Sequence, residues 1–361
     1  MRDDSIQSKT IEWLRFCCIG AVVLLHAVGD PLEGKEIISW QYGAYDTVRI
    51  LFSEGLCRVA VPIFFLISGY LFFVKLEEWR TDIWADKLKR RVKTLLIPYV
   101  LWNLLSVVFA FAKLYLRFFL IGGDAPDLPA WYHDSIGGLH LFWDSYQGLY
   151  PHNCPLWFIR DLMVFVILAP VVFYYVKKTG IIGLAILYLA FVTNIWLNVP
   201  GFSAEGLFYF SLGAYLSIHR IDFTEVCRKY LAIAACLAVP LLLVMVFTYG
   251  NHQDVWGYAR RCFTLFGATA TIGTVARLFQ NGKIRVHPLL SKSSFLVYAA
   301  HGSIVLPFMQ FVLGSVLPYN QFWLIIKYFS VALLTVALLV ACYWLLSRCM
   351  PKTLSVLTGG R

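Results

Sequence analysis

Ten runs of mostly apolar residues, each near the length that carries an α-helix across a bilayer, divide this chain. They fall at 11–28, 58–74, 94–120, 156–176, 180–198, 203–219, 229–248, 259–279, 293–315 and 322–347. Several contain Pro or Gly, which membrane helices tolerate. Hydrophobic residues make up 59% of the 361 positions and charged residues 14%, too much apolar surface for a soluble domain to bury. The expected fold is an all-α polytopic membrane protein of about ten transmembrane helices, forming one integral-membrane domain over 1–361. The polar start, MRDDSIQSKT, precedes an apolar run with no small-residue cleavage site after it, so a retained helix is expected. "VPGFS" (199–203) separates two runs as a tight hairpin. No repeat, low-complexity segment or appended soluble domain is read.

Lys and Arg set the orientation. Segments 1–10, 75–93, 177–179, 219–229, 280–292 and 348–361 together hold 20 of them, and alternate loops hold few. Both termini are therefore expected in the cytoplasm, and the net charge of +10 reads as membrane orientation, with no nucleic-acid partner. Nine scattered cysteines form no CxxC pair and no His/Cys metal spacing, so they read as small packing residues and no metal is expected. The basic inner loop 75–93, "KLEEWRTDIWADKLKRRVK", has two readings. It is an anchor against anionic membrane lipid, or a cationic cradle for a phosphorylated cytoplasmic donor. The outer loop 121–155 carries Trp131, Tyr132, Trp143, Tyr146 and Tyr150. These make an interfacial belt or a platform for sugar faces. His133, His140 and His152 in that loop read as solvated.

The first run, "TIEWLRFCCIGAVVLLHAVG" (10–29), contains Arg15 and His26. Their separation of 11 residues lies within about 20° of three helical turns, placing both on one face, roughly 16 Å apart along the axis. Glu12 is available to Arg15 as a local ion pair. Alone, the Arg could snorkel and the His could be packed. A face bearing both must turn inward or line a wet cavity, and neutral His is a proton acceptor near pH 7. Other spans add Ser68 and Gly69 at mid-membrane, where Gly permits close helix approach. "CPLWFIRDLMVF" (154–165) carries Trp157, Arg160 and Asp161, with Arg160 at about the depth of His26. "SFLVYAAHGSIV" (294–305) carries Tyr298 and His301, one turn apart, and Glu205 opens the sixth span.

Taken in order, "IEWLR" followed by His26, "FFLISGYL" (64–71), "KLKRRVKTLLIPY" (87–99), "LWFIRDL" (156–162) and "YAAHGSIV" (298–305) resemble the acyltransferase 3 family of bacterial integral-membrane acyltransferases. The resemblance covers nearly the whole chain. Glu12 stands where the family commonly has Asp, which keeps the charge. The resemblance implies transfer of an acyl group, usually acetyl, from cytoplasmic acyl-CoA to a hydroxyl of an extracytoplasmic polysaccharide or its lipid-linked precursor. It places the protein in the bacterial inner membrane. His26 is then the general base and Arg15 the donor-side cation. Arg160 orients the acceptor or stabilises oxyanion charge, and His301 is a second proton carrier or a structural residue. Ser68, Gly69 and Tyr298 shape the donor channel, Arg90 and Arg91 hold CoA phosphates, and Trp157, Asp161 and Glu205 face the acceptor. Acyl-CoA enters as substrate, with no tightly bound cofactor. A homo-oligomer is compatible with this reading. The competing class is a transporter or flippase for a lipid-linked sugar, which would need no His26; the lack of a repeat between chain halves counts against it.

Overall fold

A computed structural model of the protein describes residues 5–28, 43–74, 76, 78–121, 138–195 and 199–360. Among them the architecture is helical, and no β-sheet forms. The principal helices are α1 (Ile6–His26), α2 (Ala60–Phe73), α3 (Thr81–Arg91), α4 (Ile97–Ile121), α5 (Trp157–Ile167) and α6 (Ala169–Thr193). They continue as α7 (Ala204–Ile218), α8 (Leu231–Thr248), α9 (Gln253–Gln280), α10 (Pro288–Ala300), α11 (Leu306–Val316) and α12 (Gln321–Cys349). Ser5 starts α1 by accepting the backbone N–H of Ser8 at 3.2 Å, and Ser203 starts α7 by accepting that of Gly206 at 3.3 Å. Both satisfy N–H groups that a helix start leaves without partners.

By length and apolarity, seven helical stretches among the described residues can cross a membrane: Ala44–Phe73, Thr81–Leu116, Ala169–Thr193, Leu231–Thr248, Gln253–Gln280, Pro288–Val316 and Gln321–Cys349. The chain is a multi-pass membrane protein. The count is below the ten apolar runs for physical reasons. Helix α1 carries Lys9, Glu12 and Arg15 on 21 residues. Helices α5 and α7 are short, with 11 and 15 residues. Helix α6 is two arms, because Gly180 (φ 58°, ψ −138°) takes a conformation that only glycine adopts without strain. That break adjoins the segment 177–179 expected to be a loop. The expected hairpin at 199–203 is present as a turn bridging Val199 and Phe202.

Apolar side chains point both ways. Phe65, Phe72, Phe73, Phe165, Phe173 and Phe210 are buried together in the core. Ile182, Phe247, Phe311 and Leu333 are each at least 70% exposed, a surface suited to lipid rather than water. Helices α2 and α7 cross at two glycines. A Cβ on Gly69 would lie 2.1 Å from the Phe210 carbonyl oxygen, and one on Gly213 would lie 2.1 Å from that of Leu66. Widened π turns occupy Ile50–Gly55, Val92–Leu96 and His301–Val305. The second joins the basic helix α3 to α4, and the third joins α10 to α11.

Candidate active site

A cavity of about 470 Å³ opens beside the Arg15 end of α1. Its mouth gathers charge from three helices: Glu12 and Arg15 of α1, Arg91 at the end of α3, and Lys292 of α10. Arg15 and Arg91 interact electrostatically as like charges. Arg15 is exposed into this space and makes no hydrogen bond or ion pair among the described residues. Its neighbour Glu12 instead accepts a hydrogen bond from Ser291 at 2.9 Å. Ser68, Ile67 and Phe64 from α2 form one wall, and Ser294 and Phe295 from α10 another. Phe158 and Tyr298 line it as well, their rings edge to face at 6.3 Å.

Tyr298 connects this cavity to a histidine pair. Its hydroxyl donates to the Pro155 carbonyl, and its ring centroid lies 6.3 Å from that of His301. His301 is fully buried at the head of the π turn. Its Nδ1 lies 2.7 Å from the Tyr298 carbonyl and 3.2 Å from that of Val297. A carbonyl oxygen only accepts, so Nδ1 carries the hydrogen and Nε2 is a bare lone pair. The same logic applies to His26, whose Nδ1 lies 2.9 Å from the Val22 carbonyl. His301 Nε2 sits 3.4 Å from His26 Nδ1, so the His26 N–H is shared between a carbonyl and the second imidazole. That leaves His26 Nε2 bare and without a hydrogen-bond partner among the described residues. This is the state a general base requires.

The π turn that presents His301 is itself held by a polar network. Ser303 donates to Asn153 Oδ1 at 3.0 Å, and Ser106 donates to Ser303 at 2.9 Å. Asn153 donates from its side chain to the Ala299 carbonyl at 3.0 Å and from its backbone N–H to Asn103 Oδ1 at 3.0 Å. Buried amides and hydroxyls satisfied this completely fix one arrangement of the helices that carry them.

The other expected site residues are distributed differently. Arg160 is almost fully buried and committed to its neighbours. It donates to the carbonyls of Trp143 at 2.5 Å and Leu149 at 2.8 Å, and to Asp161 Oδ1 at 2.9 and 3.1 Å. Its guanidinium also lies 5.5 Å from the Trp143 ring. Arg160 and Asp161 thereby pin the segment 143–149 to α5. Trp157 packs its ring 6.2 Å from Phe65. Glu205, second in α7, has a buried carboxylate oxygen without a partner. Gly69 lies against the Phe210 backbone at the α2–α7 crossing and not in the cavity, which takes Ser68 alone from that pair. Arg91 lines the cavity, whereas Arg90 is exposed and folds back to the Asp86 carbonyl at 3.3 Å. Trp131, Tyr132 and His133 lie outside the described residues. His140 pairs with Asp144 at 2.7 Å, and His152 is half-buried.

Sequence reasoning passed over Lys292, Ser291 and Ser294 at the cavity mouth, although "SKSSF" (291–295) is a polar run heading the span that carries Tyr298 and His301. It also passed over the Asn103–Asn153–Ser303 network, whose only signal is one amide inside the third run and another just before the fourth. Arg58 and Arg260, at the starts of their spans, are passed over as well.

These features define a polytopic helical membrane protein with a cation-lined cavity whose Tyr298 wall adjoins an imidazole pair. The family model for the acyltransferase domain matches residues 8–347, and the chain belongs to that family, acyltransferase 3. It is similar to the succinoglycan biosynthesis protein ExoH of Rhizobium meliloti (strain 1021). The two are 28% identical over 374 residues, covering 99% of this chain and 94% of that protein. No solved structure matches the chain.

Proposed function

We propose that this acyltransferase moves an acyl group, acetyl in the first instance, from cytoplasmic acyl-CoA to a hydroxyl of an extracytoplasmic cell-surface polysaccharide or its lipid-linked precursor. The observation that carries the reading is a cationic mouth, a cavity reaching Tyr298, and beyond that ring a histidine pair in which His26 keeps one nitrogen bare among the described residues. Arg15, Arg91 and Lys292 suit the phosphates of CoA. The Arg15-to-His26 rise of roughly 16 Å is about the length of a pantetheine arm, so the nucleotide can remain at the mouth while the thioester advances past Ser68 toward Tyr298. The setting is a bacterial inner membrane with the Arg15 end cytoplasmic, as the loop charges require.

His26 Nε2 takes the proton of the acceptor hydroxyl as its oxygen attacks the thioester carbonyl carbon. The resulting imidazolium holds its Nδ1 hydrogen against the Val22 carbonyl and His301 Nε2, which stabilise the charge. When the tetrahedral intermediate collapses, the C–S bond breaks and the thiolate takes the proton back from Nε2. The products are an ester and free CoA thiol. His301 is a positioning residue that acts through His26. The relative's name, a succinoglycan biosynthesis protein, supports a polysaccharide acceptor.

The test compares surface glycans from cells with and without the gene by mass spectrometry, with complementation by wild type and by His26→Ala. The expected result is an acyl substituent lost on deletion and restored by wild type only. Glycans unchanged by deletion, or restored by His26→Ala, would overturn the proposal.

A further inference from the structure

A second charged group lies at the His26 end of the bundle, where three helices begin. Arg58 precedes α2, Glu205 opens α7, and Trp256 and Arg260 stand one turn apart near the start of α9. Arg58 is paired with Glu54 at 2.5 Å. Even so, among the described residues four polar atoms here are buried without a hydrogen-bond partner: Arg58 Nε, Glu205 Oε1, Trp256 Nε1 and Arg260 Nε. Glu205 interacts electrostatically with both Arg260 and Arg58, yet no ion pair joins it to either. A buried polar atom left without its bond is costly to the fold. Four in one place mark a gap shaped for something polar. Water can occupy such a gap, and a ligand that replaces it must reproduce its bonds.

The chemistry of the gap identifies the ligand class. It offers three N–H donors and one carboxylate acceptor. Two arginines, Arg58 and Arg260, face two glutamates, Glu54 and Glu205, so these four carry no net charge; Arg261, the further cation near Arg260, donates to the Val192 carbonyl at 2.8 Å. An anion would gain no net attraction and would meet Glu205. A hydroxyl both donates and accepts, and can satisfy Glu205 Oε1 and an arginine Nε at once. The wall is aromatic: the Trp256 ring lies 5.3 Å from the Arg260 guanidinium and edge-on to Tyr249 at 5.6 Å. Arg58 is also close enough to His26 for their charges to interact, so the gap adjoins the base.

We infer that Arg58, Glu205, Trp256 and Arg260 form the acceptor subsite, and that it takes a neutral, polyhydroxylated sugar residue in preference to a uronate or phosphorylated one. This rests on the acyl-transfer reading above. One hydroxyl bridges Glu205 and Arg260 while another is presented to His26. Of the four, the sequence pointed only to Glu205 for the acceptor side.

The experiment uses membranes containing the full chain, labelled acyl-CoA, and de-acylated surface polysaccharide fragments from the deletion strain. Glu205→Gln and Arg260→Gln are each expected to raise the acceptor KM about tenfold or more and to leave the donor KM within about twofold. Trp256→Phe keeps a ring and removes only the N–H, and is expected to raise the acceptor KM several-fold; it carries the test if the charge variants fail to fold. Fragmentation of the native polymer should locate the acyl group on a neutral sugar. Wild-type acceptor KM in Trp256→Phe and in the folded charge variants would overturn the subsite, as would an acyl group on a uronate. A wild-type protein that transfers nothing would instead overturn the function on which the subsite rests.

Discussion

Two of the arginines within the apolar spans, Arg15 and Arg160, have opposite surroundings. Arg160 spends its donors on two backbone carbonyls and a carboxylate, under an aromatic ring, with almost no exposure. Arg15 has none of these partners and opens into a cavity with Arg91 and Lys292 beside it. A charge in an apolar span is tolerated only when something compensates it. For Arg160 the compensation is built into the chain, and its work is structural. For Arg15 the one acidic neighbour, Glu12, is engaged by Ser291 and shared among three cations, so further compensation must come from outside, which is the signature of a binding residue. The lesson is that depth in the membrane says a charge matters, while its partners say how.

Five substitutions can break or sharpen that contrast. The largest effect is expected at His26, where one nitrogen is committed and the other bare. His26→Ala should lower acyl transfer in membranes about 10³-fold at matched protein level, since it removes the base. Near wild-type rates would separate the cavity from the chemistry. Next, Arg160→Met should strand Asp161 and two carbonyls and destabilise the protein by about 3–5 kcal/mol, read from unfolding in detergent. An equally stable variant with a raised acceptor KM would move Arg160 to the binding side of the comparison. Arg15→Gln should do the reverse, raising the donor KM about tenfold with little change in unfolding, because no hydrogen bond or ion pair among the described residues is lost. The smallest and most discriminating test is between neighbours. Arg91→Gln should raise the donor KM several-fold, and Arg90→Gln should leave it within about twofold. Equal effects would place both on the donor.

Much of this was legible in the sequence because it depended on short-range geometry. The single-face relation of Arg15 and His26 follows from helical pitch, and the close approach allowed by Gly69 follows from its missing side chain. What remained hidden depended on partners far along the chain or on backbone atoms. His26 meets His301 across 275 positions. Arg160 is neutralised partly by carbonyls, which have no letter in the sequence and so left its role open. Arg90 and Arg91 differ only by one helical step, and the orientation of α3 decides which of them faces the cavity. Glu205 and Arg260 come together because α7 and α9 begin at the same end of the bundle, a fact of tertiary arrangement.

The π turn at His301–Val305 has a consequence for how this family can drift. A turn closed by i→i+5 bonds holds one residue more than an α-turn over the same stretch. Deleting a single residue there would let α10 and α11 fuse into an ordinary helix with both arms near their present phase. The fold would survive such a change. The bond from Ser303 to Asn153 and the set of His301 against His26 would not, because both depend on the extra residue. Catalysis would thus be lost by a one-codon deletion that keeps the helices in place and costs the bundle a buried hydrogen bond.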